Sequence, residues 1–191
     1  MLPEKATARW ERLFADLDGM AADGEWSELT AEVDDRARGE IGRLRMFDRL
    51  RAAIGHTIAV RLVVGEPVTG AIADVGPDWL LVADEGRRES LIPAGAVAGI
   101  EGLGWLTAVP GGEGRVAARL DLRYVLRRLT KDREPLAVRL ISGAVVTGTC
   151  DRVGSDYAEI AEHAPGEFRR RDAVRAVLTV PLRSIVLMRP A

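Results

Sequence analysis

The 191-residue chain contains no Asn and no Gln, and only two of its 27 basic residues, Lys5 and Lys131, are lysine. With abundant Ala, Gly, Val and Arg, this is the codon bias of a GC-rich genome, so the arginine excess carries little functional weight and the source reads as bacterial. A single cysteine, Cys150, excludes an internal disulfide and a thiolate zinc site, and fits a reducing cytosol. There are two histidines, His56 and His163, and neither has a partner at metal-ligand spacing. No G-x-S-x-G, H-E-x-x-H or G-x-x-x-x-G-K-[ST] occurs. Gly111-Gly112-Glu113-Gly114 lacks the following Lys and the preceding strand of a phosphate loop, and reads as linker. The adjacent pair Asp34-Asp35 points apart on a helix, which does not suit general acid–base work. These absences leave no catalytic constellation, no cofactor and no small-molecule substrate. No apolar run reaches the roughly twenty residues of a membrane span, and the amino terminus has no apolar stretch of signal-peptide length. The expectation is a cytoplasmic protein that is not an enzyme. The formal net charge of −2 argues against nucleic acid as a partner for the whole molecule.

What the chain does have is a duplication. Ile58–Val82, IAVRLVVGEPVTGAIADVGPDWLLV, returns 78 residues later at Leu136–Ile160 as LAVRLISGAVVTGTCDRVGSDYAEI, with 11 identities in 25 positions and no gap. Such self-similarity governs the fold. Val60 and Leu62 alternate with Ala59 and Arg61, and Val138 and Leu140 with Ala137 and Arg139, a strand period. Turns follow at Gly65-Glu66-Pro67 and Ser142-Gly143-Ala144, second strands at Val68 and Val146, and tight hairpins at Val-Gly-Pro-Asp and Val-Gly-Ser-Asp. Third strands begin at Trp79 and Tyr157. Ser90–Ile100 and Leu178–Met188 each give a short strand, a Pro-initiated turn and a last strand. Five short strands in so short a length predict a small closed barrel, because closure removes exposed edges.

Around the repeats, residues 6–22 have the spacing of an amphipathic helix through Trp10, Leu13, Phe14, Leu17 and Met20. A long second helix runs to about Ile54, weakened at Gly39 and Gly42, with a break expected near Gly42 or Phe47. Its arginines Arg36, Arg38, Arg43, Arg45, Arg49 and Arg51 are interleaved with acids and read as a solvated face. Val116–Leu129 predicts a third helix. The expected organisation is a helical hairpin over 1–54, a first barrel over 55–104, a Gly/Pro-rich linker over 105–115, and a helix with a second barrel over 116–191.

The pattern Val60, Leu62, Gly65, Gly70, Ile72, repeated as Val138, Leu140, Gly143, Gly148, Cys150 after a leading helix, resembles the Sm-like family, the Hfq/LSm group of SH3-like barrels. The resemblance implies an α+β protein with two tandem five-stranded barrels, each preceded by a helix, and association of barrels through their fourth and fifth strands. The family's RNA-reading residues are not retained: the chain has no Asn, Asp74 is replaced by Arg152 in the second copy, and Pro93-Ala94-Gly95 and Pro181-Leu182-Arg183 stand where the family has Arg-Gly.

The candidate interaction surface comprises Trp79 and Tyr157, aromatics at the same step of both repeats, and Arg169, Arg170, Arg171 and Arg175. Those arginines lie in a segment ten residues longer in the second repeat (Ile160 to Pro181 against Val82 to Pro93). Facing outward, the aromatics could stack a base for about 1–3 kcal/mol each; facing inward they pack under the preceding helix. Arg61 and Arg139 read as strand-edge salt bridges, and Cys150 as a buried thiol. The function expected is protein–protein interaction or assembly, through a protein partner or self-association, with RNA binding as the alternative.

Overall fold

The computed structural model describes residue 42 and residues 44–105, 120–164 and 174–191. Apart from Gly42 these belong to one compact unit, Leu44–Ala191. Helix α1 (Met46–Ala52) leads into β1 (Thr57–Leu62), β2 (Val68–Val75), β3 (Trp79–Ala83), β4 (Glu89–Pro93), a 3-10 turn (Ala94–Ala96) and β5 (Val97–Glu101). Helix α2 (Leu122–Asp132) leads into β6 (Pro135–Leu140), β7 (Val145–Val153), β8 (Tyr157–Glu162), β9 (Ala176–Pro181), a 3-10 turn (Leu182–Ser184) and β10 (Ile185–Pro190).

The expected pair of closed Sm-like barrels is corrected. The strands form one open, ten-stranded antiparallel sheet in the order β5-β1-β2-β3-β4-β10-β6-β7-β8-β9. The reason is a pairing between the repeats: β4 bonds to β10, in register at Leu91 and Met188, so the sheet runs on across the boundary and, among the described residues, ends at β5 and β9. The α+β description gives way to a mainly β architecture, with two α-helices among the described residues. The predicted helical hairpin over 1–54 lies outside the described residues except for its end. There the chain is interrupted at Arg45, which is extended (φ −90°, ψ 152°), between the Gly42 and Phe47 positions where a break is expected, and helix α1 follows. The third helix begins at Leu122 rather than Val116: Asp121 is its N-cap, accepting from the Tyr124 N–H, and residues 116–119 are outside the described set.

Local structure follows the duplication closely. Both second strands carry a bulge at the same step, between Ile72 and Asp74 and between Cys150 and Arg152. Each bulge bends its strand and raises its twist. Both tight hairpins close with a glycine N–H donating to the aromatic's carbonyl, Gly76 to Trp79 and Gly154 to Tyr157, each at 2.9 Å. In both repeats the residue after the proline donates to an aspartate carbonyl, Ala94 to Asp78 and Leu182 to Asp156, each at 2.8 Å. Proline suits that turn entry because its fixed φ matches the observed −62° and −59°.

Two apolar clusters lie along the sheet. The first gathers Val60, Ile72, Leu80, Val82 and Ile92 beneath Leu50 of α1, and the second gathers Val138, Cys150, Ile160 and Val180 beneath Leu122 and Leu126 of α2. Membership crosses the repeat boundary in both directions. Val186 and Leu187 of β10 join the first cluster, and Trp79 and Leu91 join the second.

Candidate interaction surface

The joint between the repeats is built from short-range chemistry on both sides. Arg189 of β10 donates through Nε to Ser90 Oγ of β4 at 2.9 Å, and Ser90 is buried. The β1–β2 turn of the first repeat leans on the second: a Cβ on Gly65 (φ +95°) would lie 2.2 Å from the Arg139 guanidinium. Arg139 is thus at the joint, whereas its counterpart Arg61 pairs with Glu101 across β1 and β5 at the outer edge.

The start of α2 is seated on the first repeat. The Leu122 N–H donates to Asp78 Oδ1 at 2.8 Å, and Trp79 Nε1 donates to the Leu120 carbonyl at 2.7 Å. Free amides at a helix start need acceptors, and here one comes from another repeat's hairpin. Asp78 is exposed as a residue, yet its carboxyl is partly desolvated under the helix, and this raises its pKa despite the Leu122 N–H pulling the other way. Burial also pushes Asp121 up, but the Tyr124 N–H, the Arg123 side chain and nearby Arg127 outweigh it and hold that carboxyl below its usual value. An open groove of about 430 Å³ is lined by residues of both repeats, among them Asp78, Leu122, Arg123, Ser155, Asp156 and Arg183.

The predicted surface residues are not brought together as a set. Trp79 is 6% exposed and inside the second cluster, so it packs under the following repeat's helix and offers no face to a base. Tyr157 is half-buried, its ring over Gly154. Arg175 is exposed, with its N–H donating to the Glu162 carbonyl at 2.8 Å; Arg169, Arg170 and Arg171 lie outside the described residues, as do Arg36, Arg38 and Arg43. Of the helix arginines that are described, Arg51 bonds to Asp48 and to the Gly76 carbonyl, and Arg49 to the Gly104 carbonyl. His56 is exposed. His163 is buried, bonded to Thr149 Oγ1 at 2.8 Å and the Ala164 carbonyl at 3.1 Å. Cys150 is buried, its thiol pKa raised by that burial, and it accepts from Thr130 Oγ1. Among the described residues no cluster of His, Cys, Asp and Glu could hold a metal ion, and no helix is long and apolar enough to cross a membrane.

What does stand exposed is the edge of the sheet. Strand β9 is accessible over its first four residues, with Val177 57% and Leu178 38% exposed. At the opposite end β5 pairs only with β1 among the described residues. Asp78 was not singled out by sequence reasoning. The signal was present in the recurring Val-Gly-x-Asp-aromatic step, whose Asp repeats identically at 156. No protein-family profile matches the chain, and no curated protein matches it.

Proposed function

We propose that this is a non-catalytic assembly protein that joins copies of itself by pairing β9 of one copy with β5 of the next. One observation carries the reading. Inside the chain, the fourth strand of repeat one (β4) pairs with the fifth strand of repeat two (β10), which among the described residues leaves as sheet edges the fourth strand of repeat two (β9) and the fifth of repeat one (β5). The two edges are therefore the complementary halves of a joint that the sequence already makes once. Soluble proteins usually blunt such edges with charge, proline or cover, whereas β9 presents Val177 and Leu178. A β9-to-β5 contact is head-to-tail, so it generates a closed ring or an open filament rather than a two-fold dimer.

The test is light scattering on size-separated protein across a concentration series. The parent should run as an oligomer. A Val177→Lys, Leu178→Lys variant should run as a folded monomer with unchanged circular dichroism, because both positions are exposed. A parent that stays monomeric at every concentration overturns the reading.

A further inference from the structure

The ladders inside the chain set a register for the joint between copies. Leu91 of β4 lies opposite Leu81 of β3, and Thr179 of β9 lies opposite Glu159 of β8. Leu81 and Glu159 stand 78 residues apart, the offset of the duplication, so Leu91 and Thr179 are equivalent positions. In the same way Ile100 of β5, opposite Val60, is equivalent to Met188 of β10, opposite Val138. The two ladders are independent, and both agree with the match of Ser90–Ile100 to Leu178–Met188 in the sequence. Within the chain, β4 and β10 pair antiparallel with Leu91 opposite Met188. One step along, the Arg189 Nε donates to Ser90 Oγ and holds the same register.

The inner and outer seams differ in chemistry. On the β4 side of the inner joint, Trp79 and Leu91 belong to the second apolar cluster, and Leu81 packs against it. Their equivalents are Tyr157, Thr179 and Glu159. Glu159 is paired with Arg152 at 3.6 Å, and Thr179 is exposed. On the facing side the apolar character is kept. Ile185 and Met188 correspond to Val97 and Ile100, which are half-buried against the first cluster. A dry contact is thus replaced, on one side only, by polar side chains whose desolvation offsets part of what burial contributes. The backbone ladder is what the two seams share, and added strands draw affinity from such ladders.

We infer that a second copy of this chain adds its β5 to β9 antiparallel with Thr179 opposite Ile100, across a seam that is polar on the β9 side and therefore opens reversibly. The inference rests on the assembly reading above, in which β9 and β5 are the sheet's edges among the described residues. It adds which residues meet, and why the outer joint is weaker than the inner one.

Paired cysteines test the register. Residues directly opposite in an antiparallel pair have Cα atoms about 4.5–5.5 Å apart, within disulfide reach, and a displacement of two residues exceeds that reach. An Ile100→Cys chain mixed with a Thr179→Cys chain in oxidised glutathione should give a disulfide-linked dimer on a non-reducing gel. Neither chain alone should do so, because a head-to-tail joint brings unlike positions together. The parent, whose Cys150 is buried, sets the background. Val177→Cys in place of Thr179→Cys should give about tenfold less dimer. Thr179→Leu restores the side chain of the inner joint and should tighten association about tenfold or more in sedimentation equilibrium. In a parent that oligomerises, preferential linkage through Val177→Cys, dimer from Thr179→Cys alone, or unchanged association of Thr179→Leu would overturn this seam and leave self-association standing. A parent that is monomeric at every concentration would overturn both.

Discussion

Gly70 and Gly148 occupy the same step of β2 and β7, and each backs onto a carbonyl of the strand beside it. A Cβ at Gly70 would lie 2.2 Å from the Ala83 oxygen, and one at Gly148 would lie 2.1 Å from the Ala161 oxygen. Backbone cannot swing aside as a side chain can, so either Gly→Ala change must push a pair of bonded strands apart. We expect each to cost about 1–3 kcal/mol, measured by urea denaturation, although alanine normally favours a strand over glycine. Asp78 gives a prediction in pH. Its pKa is raised from 3.8, chiefly by burial. A raised folded-state pKa means that the folded chain prefers the protonated carboxyl. The associated stability is complete below the unfolded-state value and is lost as pH rises through the folded-state value. Asp78→Asn keeps an acceptor for Leu122 and never ionises. It should therefore melt above the parent at pH 7, and the gap should close as pH falls below about 4. A variant that melts lower than the parent at neutral pH would show that the ionised carboxylate stabilises the seat.

At the level of elements, the reach of Trp79 is the informative case. Its indole donates to the carbonyl just ahead of α2, so Trp79→Phe keeps an aromatic ring in place and strips one partly buried hydrogen bond. The expected loss is about 1–2 kcal/mol, read from thermal unfolding, with amide exchange accelerated at Leu122 and Tyr124 because the helix start is no longer held. The sequence made the strands themselves legible. Period-two alternation, the turn glycines and the proline turns are local signals, and β1 to β3 and β6 to β8 begin within a few residues of where those signals place them. The assembly of the strands was not legible. Whether β4 closes on its own repeat or bonds to β10 depends on Leu91 finding Met188, 97 residues away, and both outcomes bury the same alternating faces. The burial of Trp79 was within reach, since large aromatics are mostly buried. Its host, the next repeat's helix rather than the preceding one, was not, because an aromatic beside a turn carries no mark of which helix it meets.

Across the whole molecule, the exchange of residues between clusters decides how the chain should unfold. Each repeat has its own row of core residues, which alone would suggest two independent transitions. Yet the second cluster is completed by Trp79 and Leu91 from the first repeat, and the first by Val186 and Leu187 from the last strand. If either half opened alone, it would strand two large apolar side chains of its neighbour in water, each worth about 1.5–3 kcal/mol. That cost is comparable to a large share of a domain's net stability. Leu44–Ala191 should therefore unfold as one unit. Leu126→Ala makes the test sharp. Leu126 is 1% exposed on α2, far in sequence from the first cluster, and its truncation should cost about 2–5 kcal/mol. With coupled halves, calorimetry of the variant under dissociating conditions gives a single transition shifted to lower temperature, with calorimetric and van't Hoff enthalpies still equal. A low-temperature peak for the second repeat and an unmoved peak for the first would show instead that the β4–β10 joint transmits nothing. A joint that weak would be a poor template for the one we propose between copies.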